Sequence, residues 1–374
     1  MECKKVVITG CRGLLGYHLH VACEAMNSAA RYCGEKGPFE IVCVDRTTFN
    51  SIEKLSVALI NADVVFHFAG VNRSDNVRDA NKKITDTLIS ALDRSGSVPH
   101  IFYANSIQSE MDNEYGLSKK ETAEAFSNWA NNKNGKFSDY ILPHIFGEYS
   151  KPNYNTVTAT LCDSIVCGKS VEINPAGAVE LLHAGDVANE MLDCYREKRE
   201  GRVRLTGKKL SVLELYDQLI EFDSLYKHHT MPDLTDRFIL QLFNTYRSFV
   251  DPESLKLKQN TDERGVLFEV VKGGGGGQSF MSWTKPGVTR GEHFHRYKVE
   301  RFLVLKGQAE IKIRRMFHDE VYTFEVDGTT PMIVDMPTLC THNITNTGSD
   351  DLLTMFWSHE VFDSNNPDTF QSYV

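Results

Sequence analysis

Two groups of residues in this 374-residue chain have the types and spacings that chemistry needs. The first is Tyr115 and Lys119 in "YGLSK". Four apart on a helix, they share one face. An ammonium beside a phenol is expected to lower the phenol's pKa and make it a proton donor and acceptor. Ser106 ends the preceding run "HIFYANS" and is placed to hold a substrate oxygen. The second group is His293 and His295 in "GEHFHRYKVE", one residue apart on a strand and so on one face. Glu300 lies beyond a short turn, Gly307 closes the hairpin, and His342 follows in "PTLCTHNITN". Three imidazoles and one carboxylate suit zinc, iron, manganese or nickel and leave a position for water or a substrate oxygen. Without an ion, the same side chains would be histidines of a barrel interior.

A third constellation opens the chain. Gly10, Gly13 and Gly16 follow "VVIT" and begin a helical pattern. One glycine makes the tight turn, one lets a pyrophosphate approach the backbone, and one lets helix and strand pack closely. The phosphates then meet free N–H groups at the helix start. Asp45 ends the second strand and suits a ribose hydroxyl, whereas the next residue, Arg46, suits a 2′-phosphate. These two residues leave the choice of dinucleotide open.

Two kinds of texture must position these groups. From "KKVVITG" through "EIVCVD", "ADVVFHFAG", "HIFYANS" and "FSDYILPHIFG", strand-like runs alternate with helical ones. That pattern predicts a parallel sheet with crossover helices, a Rossmann-type α/β domain. Residues 222–251 read as helical closing material and a connector. After about Leu255 come short strand runs, from "GVLFEVV" to "LLTMFWS", in the pattern of an all-β barrel or sandwich. The expected division is an N-terminal domain 1–245, a connector 246–256 and a β domain 257–374. The run Gly273 to Gly277 reads most simply as a flexible hairpin tip.

Bulk composition narrows the function classes. A net charge of −9 argues against a general nucleic-acid or anionic-membrane surface. Phosphate on a ligand must therefore meet local cations and backbone amides. The cysteine count of nine is odd, without repeating spacing, which predicts reduced thiols in a cytoplasm. No run reaches membrane-spanning length, and "MECKKVVITG" enters a strand without a signal-like segment. A soluble cytoplasmic protein is expected.

The N-terminal motifs, TGxxGxxG, Asp63 with "HFAG", Ser106, Tyr115, Lys119 and "LLHAGDVA", resemble the extended short-chain dehydrogenase/reductase family. Many of its members act on nucleotide sugars, moving hydride between C4 and a nicotinamide. The resemblance implies that Asp63 and Ala69 join Gly10, Gly13, Gly16, Asp45, Arg46 and Lys119 around the cofactor. Only eight residues separate Ser106 from Tyr115, where many members have a longer loop.

The C-terminal motifs resemble the cupin family: Gly291, His293, His295, Glu300 and Gly307 in order, then Pro337, His342 and Asn346. Leu339 stands where a glycine is usual. Some cupins carry no metal. The pairing, with "AGVNR", "NSIQ", "KPNYN" and "NNPDTF", resembles the bifunctional capsular-polysaccharide enzymes of the CapF/WbjC type along nearly the whole chain. That resemblance implies C3 epimerisation of a UDP-2-acetamido-2,6-dideoxy-4-hexulose in the cupin, then NADPH-dependent C4 keto reduction in the first domain, on the path to UDP-N-acetyl-L-fucosamine. It also implies a homodimer formed through the cupin. Zinc is the expected ion. Arg73, Lys151, Asn153 and Tyr154 are candidates to meet the UDP-linked substrate. The competing reading is a nucleotide-sugar 4-epimerase or dehydratase whose cupin only dimerises or binds sugar.

Overall fold

The computed structural model describes residues 3–374 except 73, 75, 155, 175, 229, 253, 258–259, 263–264, 268–271 and 274. The chain divides into two compact units. The first comprises Met1–Thr160 and Ile173–Leu213, and the second Leu161–Glu172 and Glu214–Val374.

The first unit is built on β1 (Lys4–Thr9), β2 (Phe39–Val44), β3 (Val64–His67), β4 (His100–Ser106), β5 (Phe137–Leu142), β6 (His144–Phe146), β7 (Ala178–His183), β8 (Gly201–Arg204) and β9 (Lys208–Ser211). Six of these form one parallel sheet in the order β2-β1-β3-β4-β5-β8. The apolar runs are continuous because both faces are covered. Val6, Ile8, Val64, Phe66 and Phe102 enter one core, while Val7, Val65, Ile101 and Tyr103 enter the other. Helices α1 (Leu14–Tyr32) and α7 (Ala184–Arg196) supply the first core, and α3 (Ile52–Leu59), α4 (Val77–Ser95) and α5 (Glu114–Asn132) the second. The chain leaves β1 for β2 on one side and returns to β3 on the other. In such sheets, ligands bind in the crevice beyond the carboxyl ends at this reversal. The run "FSDYILPHIFG" is not one strand: Pro143 lacks an N–H and separates β5 from β6, which joins β7 and β9 in another sheet.

Two five-stranded antiparallel sheets make up most of the second unit. One runs Ser254–Lys256, Met332–Met336, Glu300–Lys306, Leu352–Ser358, Gln278–Thr284. The other runs Val321–Asp327, Gln308–Arg315, Cys340–Asn346, Thr289–Phe294, Phe370–Gln371. Residues 214–245, expected within the first domain, belong to this unit instead, together with the connector that follows them. Their aromatic residues explain it: the rings of Phe222, Phe243 and Tyr246 pack against one another, and Tyr226 donates to Asp335 Oδ2 at 2.7 Å. The glycine run is not a free hairpin tip either, since Gly273 pairs with Met231 in a short parallel bridge. Gly274 lies outside the described residues.

Arg301 anchors the strand that carries Glu300. Successive side chains point to opposite faces, so Arg301 faces away from Glu300 and is buried against Asp335, with Nε at 2.6 Å and Nη2 at 3.0 Å from its carboxylate. Removing one partner of a buried pair strands the other charge. Asp335→Ala is expected to destabilise the protein by about 3 kcal/mol, with Asp335→Asn losing less. Urea unfolding measures both, and a loss for Asp335→Ala under about 1 kcal/mol would show that this pair does not hold the strand.

Candidate active sites

The glycine turn forms as its sequence suggests. Gly10 has φ +71°, and a Cβ there would lie 2.8 Å from the Ala69 nitrogen, so the ends of β1 and β3 touch. A Cβ on Gly16 would lie 2.3 Å from the Gly10 carbonyl oxygen, so α1 packs onto the turn only with glycine. Gly13 caps α1 without any side-chain hydrogen bond, and no acidic residue occupies the first turn. That end therefore presents main-chain N–H groups to an anion. The Ala69 N–H donates to Thr9 Oγ1 at 3.4 Å beside it.

Asp45 ends β2 but is also used locally: its Oδ1 accepts the Thr48 N–H at 2.7 Å and caps the helix Arg46–Phe49. The Thr48 amide and side chain, followed by the Arg12 charge, hold its carboxyl below the usual range. Arg46 is exposed on that short helix. Asp63 does not belong to the cofactor site. It accepts the Lys5 N–H at 2.8 Å and pairs with Lys4 at 3.1 Å. It therefore sits at the amino end of the sheet, roughly 15 Å by strand rise from the glycine turn.

At the carboxyl end of β4, Ser106 Oγ accepts the Gln108 N–H at 3.2 Å and begins a short 3-10 turn. Asn113 caps α5 by accepting the Gly116 N–H at 2.8 Å, which places Tyr115 in the first turn and Lys119 one turn on. Lys119 Nζ donates to the Ala104 carbonyl at 2.8 Å, over the Tyr103 ring at 4.7 Å and 5.8 Å from the centre of the Tyr115 ring. The expected lowering of the phenol is not what the surroundings produce. Burial, then the neighbouring Tyr154, pushes Tyr115 up to about 12, and burial brings Lys119 down to about 8. The ammonium is held by Ala104 rather than at the hydroxyl.

Tyr154 lies near Tyr115 and is half exposed. Asn153 adopts φ +56°, its N–H donating to Thr160 Oγ1 at 3.0 Å, and Lys151 is exposed. Arg73 lies outside the described residues.

In the second unit His293, His295, Glu300 and His342 converge, one ligand atom from each lying within 4.8 Å of the others. A bulge between Gly291 and His293 shifts the register there, with Glu292 at φ +59°. Each imidazole is tied to a main-chain carbonyl: His293 to Gly291, His295 Nδ1 to Asp368 at 2.6 Å, and His342 Nδ1 to Cys340 at 3.4 Å. A carbonyl can only accept, so in His295 and His342 the proton sits on Nδ1 and Nε2 turns to the common point. His342 Nε2 is buried with no hydrogen-bond partner among the described residues, whereas His295 Nε2, 2.9 Å from the ionised Glu300 Oε2, donates a second ring proton to it, one that a bound ion would replace. Burial would raise the Glu300 carboxyl, but the imidazoles, His295 foremost, hold it near 2. An orphaned imidazole nitrogen, carbonyl-oriented rings and an ionised carboxylate fit a divalent ion. Leu339 takes φ +60°, a left-handed conformation that glycine accepts more readily, and its N–H donates to the His295 carbonyl at 2.8 Å.

His18, Glu148 and His183 form another buried cluster with metal-like spacing. Here the Gly185 N–H donates to His183 Nδ1 at 3.2 Å, so the ring proton is on Nε2, which donates to Glu148 Oε2 at 2.9 Å. That tautomer offers no lone pair at Nε2. The cluster is a hydrogen-bonded brace joining α1, the segment after β6 and the start of α7.

Comparison with known proteins follows the same division. Residues 6–205 match the model of the NAD dependent epimerase/dehydratase family, and residues 260–370 that of a polysaccharide biosynthesis C-terminal domain. A Pseudomonas aeruginosa protein described as UDP-2-acetamido-2,6-beta-L-arabino-hexul-4-ose reductase is 34% identical over 99% of both chains. The chain belongs to the NAD-dependent epimerase/dehydratase family. The capsular polysaccharide assembling protein CapF from Staphylococcus aureus is a structural relative at 32% identity and TM-score 0.58, over 99% of this chain and 100% of that one. RMD from Pseudomonas aeruginosa, solved with NADPH, shares the fold at 17% identity and TM-score 0.50, covering 59% of this chain and 82% of that one.

For a member of the epimerase/dehydratase family, some useful residues escape sequence reading. Arg12 is exposed inside the glycine turn, close enough to Asp45 to act on its carboxyl. Its place between two of the glycines was the available signal. Asn81 clamps the segment after β3, accepting from the Val71 N–H at 2.8 Å while its amide donates to the Val71 carbonyl and Ser118 Oγ. No local pattern marks it.

Lys119 carries a pH signature. Its folded pKa, about 8, lies below its ordinary value of 10.5. Between these values the unfolded chain binds more protons, so this group makes stability rise with pH across that window. Lys119→Met is expected to remove the rise. Urea unfolding at pH 7 and pH 9.5 should show wild type gaining relative to the variant at the higher pH.

Proposed function

We propose that the chain works twice on one UDP-linked 4-keto amino sugar. The C-terminal unit, read as a cupin barrel, epimerises C3 of a UDP-2-acetamido-2,6-dideoxy-4-hexulose. The N-terminal unit then reduces the C4 ketone with NADPH, on the path to UDP-N-acetyl-L-fucosamine for polysaccharide synthesis. A cytoplasmic location accords with a soluble sugar nucleotide as substrate. The observation that carries this reading is the full-length match to a UDP-sugar reductase, which spans both chemically equipped units.

A C4 ketone acidifies the C3 hydrogen, so epimerisation needs a base and stabilisation of the enolate oxygen. His293, His295, Glu300 and His342 would hold a divalent ion, zinc by its taste for imidazole and carboxylate, and that ion when bound supplies Lewis-acid stabilisation of the oxygen. In the other unit Gly10, Gly13, Gly16 and Ala69 would line the dinucleotide, which supplies hydride to C4. Arg12 and Arg46 offer cations to a 2′-phosphate, which favours NADPH. Tyr115, kept protonated by burial, gives its proton to the C4 oxygen as the ketone becomes an alcohol. Lys119 meets the nicotinamide ribose, Ser106 orients the ketone, and Lys151, Asn153 and Tyr154 flank the diphosphate. Reduction removes the ketone and with it the acidity of C3, so the second step locks the first.

A homodimer through the C-terminal unit is supported by Gln278–Thr284, which among the described residues is an edge strand exposing Phe280, Met281 and Trp283. Unpaired apolar edges call for a partner. Trp283→Asp is expected to give monomers by sedimentation velocity at concentrations where wild type is dimeric.

Incubation with the 4-keto sugar nucleotide in D2O tests the chemistry. Deuterium should enter C3 without NADPH and should be lost in His293→Ala, whose reductase step persists on epimerised ketone. Tyr115→Phe should keep the exchange but lower reduction about 100-fold or more. Exchange that survives His293→Ala and disappears in Tyr115→Phe would overturn the assignment of steps to units. Elemental analysis should find about one divalent ion per chain.

A further inference from the structure

Asp368, in the C-terminal sequence "NNPDTF", is far from the histidines in sequence but not in space. Its Oδ1 accepts the Arg296 N–H at 3.1 Å, and its Oδ2 accepts the Tyr297 and Lys298 N–H groups at 2.7 Å each. Three consecutive amides of the turn between His295 and Glu300 are thus gathered on one carboxylate. The same residue's carbonyl accepts His295 Nδ1 at 2.6 Å. Its φ of +42° is one that few residue types accept, Asp and Asn among them. The neighbours reinforce the grip: the Pro367 carbonyl accepts Lys298 Nζ at 2.6 Å, and Phe370 and Gln371 pair with Phe294 and His293 as a strand. Beyond them the Ser372 N–H donates to the Glu292 carbonyl at 2.9 Å and the Val374 N–H to Glu292 Oε2 at 3.0 Å.

We infer that Asp368 is a positioning residue for the histidine site: its carboxylate clamps residues 296–298 so that its own carbonyl fixes the ring of His295 in the Nδ1–H form, with Nε2 facing Glu300 and His342. The inference rests on the reading of His293, His295, Glu300 and His342 as an ion site. Such outer partners select the tautomer and orientation of a ligating imidazole, and losing one commonly weakens the ion 10- to 100-fold. Asp368 serves by an unusual division, with the side chain holding the turn and the main chain holding the ring.

The test uses the full chain and zinc as the probe. Zinc affinity is measured by competition with a chromophoric chelator, and the His295 tautomer by 15N NMR of the zinc-stripped protein at alkaline pH, where the ring carries a single proton. Asp368→Ala is expected to weaken zinc about 10- to 100-fold and to give His295 a mixture of tautomers. Asp368→Asn, which keeps the left-handed conformation but offers one acceptor oxygen, should fall between. NADPH affinity should remain within about twofold of wild type, reporting that the first unit is intact. If Asp368→Ala does not fold, Asp368→Asn alone carries the comparison. Unchanged zinc affinity together with an unchanged Nδ1–H ring in the variants overturns the inference while leaving the ion site standing. Should wild type bind no zinc, the ion reading fails, and the His295 tautomer still decides whether Asp368 positions the ring.

Discussion

The carboxylate of Glu300 sits out of water among three imidazoles, and much of the second unit is arranged around that fact. A buried anion is tolerable only with compensating partners. Its strand neighbour Arg301 poses the same problem with opposite sign on the other face and is answered by Asp335. One strand thus fixes two buried charges in consecutive positions, each facing a different layer. This explains why the helices at 214–247 belong with the β-sheets. Tyr226 completes the Asp335 pair, the Arg247 guanidinium donates to the Met336 carbonyl, and the Asn244 amide donates to the carbonyl of Tyr297.

The first unit uses burial differently. Its parallel sheet is covered on both faces, so the open polar positions lie at strand ends. The glycine turn, Ala69, Ser106, Tyr115 and Lys119 all lie there, along neighbouring strands at the carboxyl edge. Partial removal from water raises Tyr115 and lowers Lys119, so the phenol keeps its proton and the amine is readied to lose one. Position along the sheet separates the candidate site from the scaffold. Asp63 sits at the opposite edge, where it ties the starts of β1, β3 and β4 together.

What was legible in the sequence was mostly local. Short apolar runs marked the strands in both units, and glycine spacing marked the turn, because both depend on neighbours a few positions apart. The His293, His295 and Glu300 group was legible for the same reason, and His342 through its own short motif. Asp63 was misplaced because a residue beside a strand gives no sign of which sheet edge it occupies. The phenol's shift was misjudged because pairing four apart fixes the face but not where a flexible ammonium goes. Asp368 and Asn81 stayed hidden for a further reason: each acts largely through main-chain groups, which have no residue type to reveal them. The pairing of Gly273 with Met231 was equally invisible, since a glycine run specifies freedom and not a partner.

The division of the chain also bears on how it is made. Leu161–Glu172 groups with the second unit, although the strands and helices of residues 173–213 that follow it return to the first. Leu161, Cys162 and Ile165 are buried in the finished protein. As the polypeptide emerges from the ribosome, these apolar residues appear well before residues 214–374 that share their unit. The nascent N-terminal unit can gather most of its sheet, but it must carry an unfinished apolar segment until the rest of the chain arrives. Domains generally fold as units in order of synthesis, and waiting apolar surface invites misassembly. Here the two units are therefore linked in the timing of folding.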